Sequence, residues 1–206
     1  MKKRLTISLM IVLLLASHAA LSSQPLAGLR EDVSADEYKV YSAVIMEDYV
    51  KEGIRLAVIT DETYKPVADD ISGAQVFAEL AEPLQLPSLA ADTCDDFVAQ
   101  NRKEPQKVGR SFSLGVDYVL VDYGAIKGFF ALKLDLEEAW KKFYKKYPRS
   151  RGYFRLSRVG FNRARNQALV HTSWMCGHRC GEGKFVLLIK RDDKWEVGGH
   201  FTQWVV

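Results

Sequence analysis

Between residue 153 and the C-terminus apolar and polar residues alternate, and this period of two constrains the fold more than any other feature of the 206 residues. A strand sends successive side chains to opposite faces, so sustained alternation means a sheet whose two faces meet different surroundings. Four runs carry the pattern: 154–161, 167–174, 184–190 and 194–205. They are separated by Asn162–Asn166, by a Cys/Gly segment and by Arg191-Asp192-Asp193. Connections this short join antiparallel neighbours, because a parallel crossover needs about a dozen residues or more. The expectation is therefore an antiparallel meander of about four strands. Gly198-Gly199 predicts a bulge or bend in its last strand.

Upstream, the period becomes helical. Ser34-x-x-Glu37 is a capping box, in which the Ser oxygen takes an orphan N–H and the Glu reaches back. Tyr38, Tyr41, Val44, Ile45 and Tyr49 follow at helical spacing and predict a helix over 35–51, ended by Gly53. A strand is expected over 55–60, a short helix over 74–81 and a Pro-containing loop over 84–89. Asp92 or Thr93 is placed to cap a helix over 94–101, with Asp95 and Asp96 against its N-terminal dipole. The β-rich run 116–121 is expected to pair with later strands. Asp135-x-x-Glu138 reads as a second capping box, opening a helix with Trp140, Phe143, Tyr144 and Tyr147 on one face; Pro148 stops it. Helices first and a sheet last predict a single α+β domain over 23–206, with helices covering one sheet face. No internal repeat or low-complexity tract interrupts it.

The N-terminus has a separate purpose. Lys2, Lys3 and Arg4 precede a ten-residue apolar run, Ile7 to Ala16, and then the small-residue stretch Ser17-His18-Ala19-Ala20-Leu21-Ser22. A bilayer span takes about 20 apolar residues. The pattern predicts a cleaved export signal over 1–22, leaving no transmembrane span. The product would be periplasmic or secreted, in an oxidising compartment. No Cys follows the apolar run, which disfavours a lipid anchor there.

Removing that segment changes the electrostatics. The full chain carries a formal +3, but three of its basic residues lie in the signal, leaving 26 basic against 26 acidic. The charges are segregated. Residues 21–138 hold 11 basic and 22 acidic residues, whereas 139–181 hold 11 basic and none acidic. The basic block includes Lys141, Lys142, Lys145, Lys146, Arg149 and Arg151. It reads as a solvated helix face balanced by the acidic segment, or as a surface for an anionic envelope component. No nucleic-acid motif accompanies it.

The chemically odd segment is Cys176-Gly-His-Arg-Cys180-Gly-Glu-Gly183. Given export, a small disulfide pinning a hairpin is favoured, and pairing of Cys94 with either cysteine stays open. A redox dithiol is weaker, because the spacing is C-x-x-x-C and no βαβ pattern surrounds it. A tetrahedral zinc or copper site would use Cys176, His178, Cys180 and a further histidine such as His171. Otherwise no cofactor is expected. Cys94 sits near a helix start, whose dipole favours thiolate, but Asp95 and Asp96 oppose it, and a buried inert thiol is the preferred reading. The motifs of serine hydrolases, zinc proteases, P-loops and dinucleotide-binding folds are missing from the sequence. Asp69-Asp70 reads as a turn rather than a catalytic dyad.

Ser157-Arg-Val-Gly-Phe-Asn162, Gln167-Ala-Leu-Val170, Cys176-Gly-x-x-Cys180-Gly-x-Gly183 and Asp193-Lys-Trp195 together resemble a signature of exported bacterial proteins of unknown function. The resemblance covers about residues 147–206. It implies Cys176 and Cys180 as the pair and leaves Cys94 outside; it implies no activity. The meander also resembles the small cone-shaped α+β domains of the nuclear-transport-factor type, an analogy of shape. The expectation for function is a non-catalytic binding or accessory module of the cell envelope. The alternatives are a hydrolytic enzyme with a site between sheet and helices, and a metal or thiol-redox protein using the 176–180 loop.

Overall fold

The computed structural model describes residues 33–51, 53–81, 86, 88–131 and 135–206. The predicted export signal and most of the predicted 84–89 loop lie outside them. Helix α1 (Ala35–Ile45) opens with the reciprocal capping box: Glu37 N–H donates to Ser34 Oγ at 3.3 Å, and Ser34 N–H to Glu37 Oε2 at 2.8 Å. It continues as a π-helical turn, Met46–Val50, and the chain reverses at Gly53, whose φ is 87°. Strand β1 (Leu56–Thr60) follows, then α2 (Gly73–Leu80), α3 (Ala91–Arg102), β2 (Asp117–Val121), α4 (Tyr123–Phe130) and α5 (Leu136–Lys146). The rest is sheet: β3 (Ser150–Leu156), β4 (Gly160–Phe161), β5 (Gln167–Gly177), β6 (Cys180–Arg191) and β7 (Lys194–Val205).

The fold is α+β, with helices mainly N-terminal and an open, mostly antiparallel sheet in the C-terminal half. The expected count of about four strands is corrected to seven, in the order β2-β1-β3-β5-β6-β7, with β4 beside β5. Strands β5, β6 and β7 form the predicted meander. The run expected as one strand, 154–161, breaks at 157–159 into β3 and β4. Segment 117–121 pairs in parallel with the earlier β1, not with later strands, and β1 is also parallel to β3. Gly198 is the extra residue where Leu187 pairs with Gly199 but Leu188 with Val197, which is the expected bulge.

Both faces are covered, which corrects the one-face expectation and differs from a cone. Alternation sends Ala57, Ile59, Phe154, Leu156, Val170 and Val186 toward α1, with Val40, Tyr41, Val44 and Ile45. The opposite side chains form two clusters. Leu169, Phe185 and Leu187 meet α2 and α3 through Val76, Leu80, Phe97 and Val98. Val58 and Tyr153 meet α4 and α5 through Ile126, Trp140 and Phe143.

Two helix starts depart from expectation. Helix α3 begins at Ala91 without a side-chain cap. Asp92 instead accepts the Arg163 N–H, and Asp96 the Phe161 N–H at 2.7 Å, which tie α3 to the β4 turn. At α5, Asp135 accepts from Glu137 N–H, while Glu138 pairs with Lys141 at 2.6 Å rather than closing a box. A reciprocal box that sequence reading missed, Ser72 with Gln75, opens α2.

Candidate functional site

The odd cysteine segment is the tip of the β5–β6 hairpin. Cys176 and Cys180 are bonded, with Cα atoms 5.0 Å apart, across the two-residue turn His178-Arg179. Cys176 is a bulge: Met175 pairs with Gly181 and Gly177 with Cys180. The bulge brings its backbone against β3 at Gly152, where φ is +100° and an added Cβ would fall 1.9 Å from Met175 O. Only glycine satisfies both demands. From the other side, Tyr144 on α5 donates to Cys176 O at 2.6 Å. The hairpin tip is thus clamped between β3 and α5.

That clamp brings part of the basic block to the cysteine loop. A depression of about 1180 Å³ lies between α5 and the hairpin tip, with Lys141, Lys145, His178 and Arg179 on its walls beside Asp135 and Glu137. Trp140 and His178 also border an adjoining pocket of about 460 Å³, which reaches under α4 to Tyr123, Phe130, Tyr153 and Met175. Trp140 stacks on Tyr153 with centroids 6.2 Å apart and planes 17° apart. An apolar, aromatic cavity of this size with a few polar groups at its rim has the form of a small-ligand site.

The six residues expected to form an anionic-partner surface are all exposed and have different neighbours. Lys141 and Lys145 face the depression, and Lys142 is exposed on α5. Lys146 lies over the rings of Phe129 and Tyr147. Arg149 meets Asp117 at 3.5 Å, and Arg151 O accepts from Trp174 Nε1.

The proposed metal set is not assembled. Both of its sulfurs are in the disulfide, and both ring nitrogens of His171 are occupied. His171 Nε2–H donates to Gln203 Oε1 at 3.1 Å, so Nδ1 accepts the hydroxyl proton of Tyr64. Burial holds the His171 imidazole down at about 4, against the Gln203 bond that favours the charged form. His178 stands exposed at the hairpin tip. Among the described residues no group of three or more His, Cys, Asp or Glu is arranged to hold a metal ion. Cys94 is unpaired and fully buried; burial, then Asp95 and Asp92, push its thiol up to about 12.

Two polar clusters escaped the sequence reading. Beneath the π-helical turn, Lys184 lies 3.1 Å from Asp48 and 3.0 Å from Glu182, nearly enclosed, with Tyr49 donating to Glu182 at 3.3 Å. Burial raises the Asp48 carboxyl against the pull of Lys184. On the opposite sheet face, Arg155 lies against the rings of Tyr64 and Tyr123, at 4.3 and 4.0 Å. Helix α4, which supplies Tyr123, was also missed; its one local signal is Asp122, whose side chain caps Ala125 N–H.

Comparison with known proteins finds no matching family model, no matching curated protein and no matching solved structure.

Proposed function

We propose that this is an exported, non-catalytic binding module, periplasmic or secreted, whose ligand seats in the groove between α4, α5 and the disulfide hairpin. The observation that carries the reading is the aromatic pocket opening beside Lys145 and Arg179. An apolar body fits the Trp140–Tyr153 end, and an anionic group is drawn in by the cations at the mouth. The disulfide and the apolar N-terminal segment support export. Among the described residues the inner pocket is lined by one histidine and no carboxylate, which supports binding over hydrolysis.

The test is stopped-flow tryptophan fluorescence with octyl phosphate, using Lys145→Glu/Arg179→Glu. Mouth charges act on encounter, so the expected result is saturable binding whose association rate falls about tenfold or more in the variant at low salt. Absence of saturable binding, or an association rate indifferent to the double reversal, overturns the reading.

A further inference from the structure

Arg155 projects from β3 on the face that carries α2 to α5, opposite Ser173 in the ladder. Its guanidinium lies against two tyrosine rings, and its one hydrogen bond among the described residues runs from Nη1 to Tyr123 Oη at 3.3 Å. No described carboxylate pairs with it. A guanidinium has five N–H donors, so four of them have no acceptor among the described residues. The Tyr123 oxygen accepts from Arg155, which leaves its own proton to donate onward. Lys127 sits 5.2 Å from the centroid of the same ring, again with no described carboxylate partner.

The supports of this arginine are fixed in depth. Tyr64 is anchored by its hydroxyl to His171, and His171 by its other nitrogen to Gln203. The rings therefore hold the planar fork in one orientation, with one donor used on Tyr123 among the described residues. A half-buried cation without a counter-charge is costly, and a planar fork matches the two oxygens of a carboxylate or phosphate. Arg155 stands outside the lining of the inner pocket and meets it through Tyr123, which with Lys127 lines that pocket beside Trp140. An oxyanion bound between them would join an apolar body lying on Trp140 and Tyr153.

We propose that Arg155, the Tyr123 hydroxyl and Lys127 form an oxyanion subsite at the inner end of the groove, anchoring the carboxylate or phosphate of an otherwise apolar ligand. The proposal deepens the groove reading and rests on it for the apolar part of the ligand. The mouth cations draw the ligand in, and Arg155 sets how long it stays.

Octyl phosphate, octanoate and octanol, each below its aggregation limit, separate the possibilities, together with nitrogen NMR of the Arg155 guanidinium titrated with inorganic phosphate. The expected result is that one of the two anions binds more tightly than octanol. Arg155→Gln then weakens that anion by about tenfold to a hundredfold through faster dissociation, leaves octanol unchanged, and Arg155→Lys falls between. The wild-type guanidinium signals should shift saturably with phosphate, a measurement that needs no variant to fold. If both octyl phosphate and octanoate bind Arg155→Gln as tightly as wild type, the subsite falls and the groove reading stands. If phosphate shifts the guanidinium but no octyl compound binds, the groove reading falls and the subsite stands. Unmoved guanidinium signals overturn the subsite.

Discussion

The most recognisable residues of the C-terminal half, Ser157 to Asn162, serve as a splice in the sheet. Ser157 N–H donates to His171 O, and Ser157 Oγ accepts the His171 N–H. Arg158 N–H donates to Asn101 Oδ1 at 3.0 Å. Gly160 passes so close to α3 that an added Cβ would sit 2.3 Å from Phe97 Cα, and Asn162 Oδ1 accepts from both Asn166 and Gln167 N–H. These contacts account for the interrupted β3–β4 run by local bonding and close packing. Gly152 is the sharper test of such packing. Gly152→Ala should cost on the order of 3 kcal/mol in urea unfolding. His171 makes a prediction with a sign. Its folded pKa, about 4, lies below the ordinary value of 6.5. The neutral form therefore stabilises the fold above pH 6.5, and that stability drains away as pH falls through 6.5 toward 4. Unfolding free energies from urea titrations across that window should fall more steeply in the wild type than in His171→Gln, by a few kcal/mol in total at most.

At the scale of elements, legibility followed local chemistry. The capping box at Ser34 and the aromatic face of α5 could be read because capping and amphipathicity are written within one turn or two. Helix α4 could not, since Gly124 and Gly128 weaken its propensity and its stability comes from packing Ile126 against the sheet. The direction of β1 was equally hidden. Its run Leu56–Ile59 is apolar without alternation because both faces are covered, which is the mark of a parallel strand but gives no partner. The disulfide was legible as a pair of cysteines in a turn; its clamp on α5 through Tyr144 was not. Closing so short a loop contributes roughly 2 kcal/mol. Cys176→Ser/Cys180→Ser should lose about that much in urea unfolding and should also weaken ligand binding, because His178 and Arg179 lose their position. A thiol assay adds a second check. No thiol should react in the native oxidised protein, one (Cys94) should react after unfolding without reductant, and three after reduction.

For the molecule as a whole, the segregated charges turn out to be partly reconciled across the fold. Asp36 meets Arg165 at 3.4 Å and Asp117 meets Arg149 at 3.5 Å, each joining the acidic segment to the basic one. Lys145 and Arg179 instead face the groove. The sequence could place positive charge on α5 but could not show that the hairpin tip folds back beside it, because that contact joins residues 32 apart through a backbone carbonyl. The same limit applies to Arg155, whose tyrosine neighbours come from a loop after β1 and from α4. The central claim is that ligand enters between α4, α5 and the hairpin, and two methionines report on it. Met175 lines the inner pocket, whereas Met46 lies beside α1 on the other sheet face, next to a depression of about 850 Å³. Carbon-13 methyl NMR during titration with octyl phosphate should shift the Met175 signal saturably and leave Met46 in place. A still Met175 signal, or a shift confined to Met46, would contradict the claim.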